Sequence, residues 1–372
     1  MTLLYAFPEP LPLDRARGVQ VAHTVTDLAR LGVPVELAYV PVPTLNPLTF
    51  YGLAVPGGLT LTPLSRSLPW PFERVHSNRL FLMRLAGRIE ASPRATLFVR
   101  HLKLAAMLLT RYPERKLVYE AHEVFSDTGT LDRREANLVM EALVMRKAAL
   151  VLANSAATAR RLGELHGGRG VEVLANGVDW PEVIPHKDWP HAGLNIVYAG
   201  SLFGWKGVED LVAAAATLPG CRITIIGGSE AQVARLRASA PSGGAQLVFR
   251  GQLSHAEVAH ALQAACIAVL PNRDEPDSRF TSPIKLFEYM AAGCAVVASD
   301  LPALRDVLSA DDVAWAQAGD SATLAAGIRA LAVDPERARR IGENLREKAR
   351  TYTWRARAEK LAALLASVDS SS

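Results

Sequence analysis

Two lysines and one short helix carry the clearest chemistry in this chain. Ser282-Pro-Ile-Lys-Leu-Phe-Glu-Tyr-Met-Ala-Ala-Gly293 spells a helix with both its start and its stop. Ser282 and Pro283 suit the N-cap and first helical position, ahead of amides that have no partner inside the helix. Those amides, around Ile284, Lys285 and Leu286, and the helix dipole favour a phosphate. Glu288 falls one and a half turns in, where its carboxylate can accept hydrogen bonds from ribose hydroxyls. A second phosphate-binding candidate is Tyr198-Ala-Gly-Ser-Leu-Phe-Gly-Trp-Lys-Gly207. Its glycines let backbone approach a diphosphate, Ser201 lies in the turn, and Lys206 supplies a cation at its end.

The first half holds weaker signals. Tyr119-Glu-Ala-His-Glu123 ends an apolar stretch in His122 and Glu123, where a neutral imidazole can accept a proton near neutral pH. Asp14-Arg-Ala-Arg-Gly18 joins a strand to a helix, and Gly18 would allow a diphosphate or acceptor close to the backbone. The spacing is not that of a dinucleotide fingerprint. Asn176-Gly-Val-Asp179 fits a turn, with Asn176 and Asp179 as candidate ligand contacts.

The elements that must position these residues alternate. Strands are expected at Leu3–Phe7, 33–39, 95–99, 116–121, 150–154 and 171–174, then at 194–199, 222–226, 246–249, 267–270, 295–298 and 313–316. Amphipathic helices lie between most of them, a pattern of parallel sheets covered on both faces. Residues 176–192 carry Pro181, Pro185 and Pro190 and break the alternation. Two Rossmann-like doubly wound domains are expected, at 1–180 and 193–352, joined by a hinge at 181–192. Ligands in such sheets sit beyond the carboxyl ends of the strands. With two sheets facing each other, that places the active site in an interdomain cleft. A last helix, within 353–372, shows apolar residues at Trp354, Ala358, Leu361 and Leu365.

The 372 residues are 49% hydrophobic, enough for two cores. The N-terminus lacks a basic leader and no run is apolar enough to span a membrane, so a cytoplasmic protein is expected. Three cysteines without metal-ligand spacing read as buried thiols in a reducing compartment. All of the net charge of +4 resides before residue 186, and residues 66–116 hold 11 basic against 3 acidic side chains. Such a run can face an anionic membrane or a phosphorylated acceptor. Within it, Ser77–Glu90 joins arginines at 79, 84 and 88 to an apolar face at Leu82, Leu85, Ala86 and Ile89, which serves a membrane or a core equally. No nucleic-acid recognition motif accompanies the charge.

The Ser282–Asp300 segment and the loop ending in Lys206 resemble family 4 glycosyltransferases, retaining enzymes of the GT-B fold. The resemblance runs from about Arg17 to Trp354. It implies a hexosyltransferase moving sugar from a UDP- or GDP-linked donor to a hydroxyl acceptor, lipid-linked or saccharide, in envelope glycolipid or polysaccharide synthesis. On that likeness Lys206 stabilises the leaving diphosphate, His122 with Glu123 lies near the transferred sugar, and Gly251 and Gln252 present main chain to the base. The last helix would cross back to the first domain. Two positions depart from the pattern. Ser201 stands where an arginine is usual, and Phe280 replaces the first of two signature glutamates, leaving Asp274, Glu275, Asp277 and Arg279 as substitutes for its sugar contacts. No cofactor and no metal are implied, and no Asp-x-Asp motif occurs. A nucleotide-sugar 2-epimerase and a degenerate nucleotide-binding subunit remain as alternatives.

Overall fold

The computed structural model describes residues 2–13, 15–68, 77–128, 130–167, 170–181, 187, 189, 194–275, 278 and 284–370. The hinge expected at 181–192 lies almost wholly outside them. The chain divides into two compact units, one of Met1–Gly177 with Trp354–Ser372, the other of Val178–Thr353.

In the first unit seven parallel strands run in the order β3-β2-β1-β4-β5-β6-β7. They are β1 Leu3–Leu11, β2 Val35–Pro41, β3 Leu59–Pro63, β4 Thr96–Val99, β5 Leu117–Ala121, β6 Leu150–Ala153 and β7 Glu172–Val173. β1 runs past the expected end at Phe7, because a register shift between Phe7 and Pro10 carries two prolines through the strand. β3 was not anticipated; of its five residues only the first, Leu59, is buried. Burial is complete over Leu3–Phe7 of β1 and along β4 and β5, as expected of parallel sheets covered on both faces. The core joins Leu3, Tyr5 and Phe7 of β1 to Val21, Val25 and Leu28 of the Ala16–Arg30 helix. Ala358, Leu361 and Leu365 of the Trp354–Ser370 helix complete it.

The Asn78–Ala91 helix settles one open reading. Phe81, Leu85, Ala86 and Ile89 are buried in the protein. Arg88 pairs with Glu36 at 2.7 and 3.0 Å, and Arg84 donates to the carbonyls of Ser65 and Ser67. Of the two uses left open for this apolar face it serves the core, and two of the helix's three arginines are engaged.

The second unit has six parallel strands in the order β10-β9-β8-β11-β12-β13. These are β8 Asn195–Ala199, β9 Arg222–Ile226, β10 Gln246–Gly251, β11 Ile267–Leu270, β12 Ala295–Ser299 and β13 Ala314–Ala316. The order reverses beside β8, so the loops after β8 and β11 open at a topological switch point. All three cysteines are buried thiols. No helix among the described residues is long and apolar enough to cross a membrane.

Candidate active site

In the second unit one tyrosine ties the two phosphate-binding candidates together. The Ile284–Ala291 helix buries Leu286, Phe287, Tyr289 and Met290. The Tyr289 hydroxyl accepts from the Ala199 amide at 2.8 Å and donates to the Ala199 carbonyl at 3.2 Å. The helix is thus fixed against the last residue of β8, immediately before the loop that ends in Lys206. Tyr198 donates to the Ser201 carbonyl at 2.7 Å, which shapes the turn and leaves the Ser201 side chain exposed.

A second clamp closes the loop from β11. The Arg273 amide donates to the Trp205 carbonyl at 2.9 Å, while its guanidinium binds both oxygens of Asp210 at 2.8 Å. Gly207 has φ +65°, and a Cβ there would lie 1.9 Å from the Pro271 carbonyl oxygen. Glycine is required for the conformation and for the contact.

These supports bring two cations together. Lys206 Nζ sits 3.9 Å from the centroid of the Trp205 ring. Burial and the neighbouring Lys285 ammonium push Lys206 down to about 8. Lys285 donates to Glu288 at 2.6 Å, so the carboxylate expected to face ribose is paired with its first-turn lysine. Of the remaining donor-side candidates, Ile284 is half-buried, Leu286 buried, Gly251 half-buried at the end of β10, and Gln252 exposed. A pocket of about 390 Å³ lined by Arg250 and Leu253 flanks Gly251 and Gln252. Asp274 is exposed beside Arg273. Ser282, Pro283, Arg279, Asp277 and Phe280 lie outside the described residues.

In the first unit His122 follows the carboxyl end of β5. Its Nε2 lies 3.2 Å from Glu120 Oε1. Burial, then the Arg100 guanidinium, lowers the imidazole to about 4, against the opposing pull of Glu120. At neutral pH the ring is uncharged and a weak base. The depressed value runs against the expectation of a proton acceptor poised near pH 7. Glu123 accepts from Thr128 Oγ1 at 2.8 Å, and Asn176 is buried.

Gly18 has a different reason from the one expected. A Cβ at that position would lie 2.2 Å from Tyr51 Oη. That hydroxyl accepts from the Leu13 amide and donates to the Leu13 carbonyl, both at 2.8 Å. The space left by the glycine is filled from within the protein, not by a ligand.

Sequence reasoning missed the groups that hold these candidates. Gln20 Nε2 bridges both oxygens of the buried Glu120 at 2.9 and 3.0 Å, and Arg357 pairs with the same carboxylate. Arg100 donates to Gln20 at 2.6 Å. Arg357 is 237 positions from Glu120, so no local pattern could link them. Tyr289 falls inside a motif already noted and Asp210 lies just past another, but the partners they bind, the Ala199 main chain and the Arg273 guanidinium, are visible only in the fold.

Two parallel-sheet α/β units built in this way define the GT-B fold. Full-length similarity to solved structures agrees. Sucrose-phosphate synthase from Thermosynechococcus elongatus superposes with a TM-score of 0.78 at 18% identity, covering 100% of both chains. HepE of Anabaena in complex with UDP-glucose gives 0.72 at 17%, over 99% of this chain and 100% of that one. Residues 182–348 match the family described as Glycosyl transferases group 1. The phosphatidyl-myo-inositol mannosyltransferase of Mycolicibacterium smegmatis is 31% identical over 200 residues, 51% of this chain. That of Mycobacterium tuberculosis is 33% identical over 158 residues, 40% of each chain. The aligned part spans about half, or less, of the length of these curated relatives (50% and 40%).

Proposed function

We propose that the chain is a hexosyltransferase that takes sugar from a nucleotide diphosphate donor and passes it, with retained anomeric configuration, to a hydroxyl acceptor. The observation that carries this reading is the convergence of Lys206 and Lys285 beside the start of the Ile284–Ala291 helix. Two ammonium groups held close at a helix N-terminus repel one another, and an anion relieves that repulsion. A diphosphate leaving group is the anion whose charge grows as the glycosidic bond breaks, so stabilisation there accelerates transfer. The family match covers this unit, and HepE, a fold neighbour, is a complex with UDP-glucose.

In this mechanism Lys206 faces the departing diphosphate. On donor binding Lys285 exchanges Glu288 for phosphate, which frees the carboxylate for ribose hydroxyls. His122, neutral, orients the sugar or acceptor by hydrogen bonding. No side chain is assigned as a nucleophile. The acceptor is a lipid-linked or saccharide hydroxyl. A lipid portion is favoured by residues 41–58, which contain no charged residue and expose Leu45, Phe50 and Val55. The proposed setting is envelope glycolipid or polysaccharide synthesis at the inner membrane face.

The test is thermal stabilisation by a panel of UDP- and GDP-sugars, followed by turnover with and without EDTA. One nucleotide sugar should raise the melting temperature, since a ligand selective for the native state must do so. Sugar should then reach an acceptor, with turnover surviving the chelator. Absence of stabilisation by any nucleotide removes the reading. Consumption of donor without acceptor would support the epimerase instead.

A further inference from the structure

The second unit buries an ammonium group, that of Lys187, which lies in the segment expected as a hinge and is only 8% exposed. It donates to the Leu262 carbonyl at 3.2 Å, to the Ala265 carbonyl, and to Cys294 Sγ at 3.3 Å. Those bonds use all three ammonium hydrogens, and none of the partners is a carboxylate. Leu262 lies in the last turn of the His255–Ala264 helix, and Ala265 is the residue that ends it. Carbonyls at such an end lack partners within their helix, and a cation there also complements the dipole. Cys294 stands directly past Gly293, which follows the Ile284–Ala291 helix with φ +68°. Its amide donates to the Tyr289 carbonyl at 3.0 Å, and its thiol lies 3.3 and 3.5 Å from the Leu262 and Ala265 carbonyls. One ammonium therefore joins the carboxyl ends of two helices.

The amino ends of the same helices carry the donor candidates. The His255–Ala264 helix begins shortly after Gly251 and Gln252, and the Ile284–Ala291 helix beside Lys206 and Lys285. With 10 and 8 residues they are only about 15 and about 12 Å long, so a shift at one end reaches the other. Tyr289 extends the connection: its carbonyl holds Cys294, and its hydroxyl holds Ala199 ahead of the Lys206 loop. We propose that Lys187 is a positioning residue of the donor site. It fixes the base-facing and phosphate-facing helices in one relative placement without touching the nucleotide. The proposal rests on the sugar-transfer reading above. An apolar side chain could fill the same space, but it would leave two buried carbonyls and a thiol without their donor. The two helices would then no longer share an anchor, and their amino ends would not fit one nucleotide together.

Lys187→Met keeps the length of the side chain and removes its donors. UDP and GDP are titrated by calorimetry into full-length wild type and this variant, well below their melting temperatures. The control is Ile328→Val or Leu331→Ala, buried changes in the Ser321–Ala332 helix of the same unit, whichever matches the variant's melting temperature. Affinity for the nucleotide that binds wild type should fall about tenfold in Lys187→Met, the scale of a slight misplacement of binding groups. The control should bind as wild type does. In the free proteins, amides of residues 255–265 and 284–294 should exchange hydrogen faster in Lys187→Met than in the control. Cys294→Ala should weaken nucleotide binding less in the Lys187→Met background than in wild type, because both changes act through one junction. Equal nucleotide affinity in Lys187→Met and the control overturns the proposal, as does equal exchange over the two helices. If neither UDP nor GDP binds wild type, the donor reading falls; faster exchange confined to the two helices then still supports Lys187 as their common anchor.

Discussion

At the scale of single residues, Lys206 makes the sharpest claim. Its ordinary value is 10.5, and burial with Lys285 brings it to about 8. The unfolded chain keeps the proton through the interval that the native protein has already lost it. Native stability contributed by this group therefore rises as pH goes from about 8 to about 10.5. A bound diphosphate favours the ammonium and reverses the shift. Calorimetry of UDP binding at pH 8.5 in buffers of different ionisation enthalpy should report proton uptake, and Lys206→Ala should abolish it. The same variant should lower turnover about 100-fold, the scale of losing one preorganised charge at a leaving group. Apo Lys206→Ala should melt no lower than wild type at pH 7. Lys206 and Lys285 could be found in the sequence because phosphate chemistry demands cations beside glycine loops and helix starts. The depressed imidazole of His122 could not, since it depends first on burial and then on Arg100, neither of which the residues around His122 in the chain announce.

At the scale of elements, the donor site is a problem of fixing one turn. The loop from Gly200 to Gly207 is held at one end by Tyr289 on Ala199 and at the other by Arg273 on Trp205 and Asp210. Gly207→Ala must adopt φ +65° and displace the Pro271 carbonyl. It should cost about 2–4 kcal/mol by chemical denaturation. Asp210→Ala breaks a half-exposed pair, so its stability cost should be only about 1 kcal/mol. Its effect on turnover should be larger, about tenfold in kcat with little change in KM for the acceptor. Equal kcat in Asp210→Ala and wild type would mean that the clamp does not set Lys206. Periodicity exposed the helices and most strands here, because buried parallel strands are continuous apolar runs such as Ala295–Ser299. It missed β3, where alternating threonine and leucine carry one fully buried residue. It also stopped β1 early, because prolines at a bulge look like an end to the strand.

At the scale of the whole molecule, the first unit is discontinuous in sequence and is closed by its last helix. Arg357 from that helix enters the buried interior and meets Glu120, with Thr24 bonded at 2.8 Å and Gln20 completing the carboxylate shell. Trp354 stacks on His23 at 4.7 Å and fills the space left by Gly177. Burial alone would raise the Glu120 carboxyl, but Arg357 and then His122 hold it well below the usual carboxylate range. The stability it contributes is present above the unfolded value near 4.5 and is lost as pH falls below it. Removing either partner strands the other charge inside the protein, so Glu120→Ala and Arg357→Ala should each cost about 3–5 kcal/mol. The double variant Glu120→Gln, Arg357→Met should cost less than the sum of the single changes, because no charge is left unpaired. Urea denaturation at pH 7 measures all three, and additive losses would show that the pair does not act as a unit. Repeated at pH 3.5, the gap between wild type and the double variant should narrow, since the unfolded wild-type chain takes up a proton at Glu120 that the native ion pair excludes.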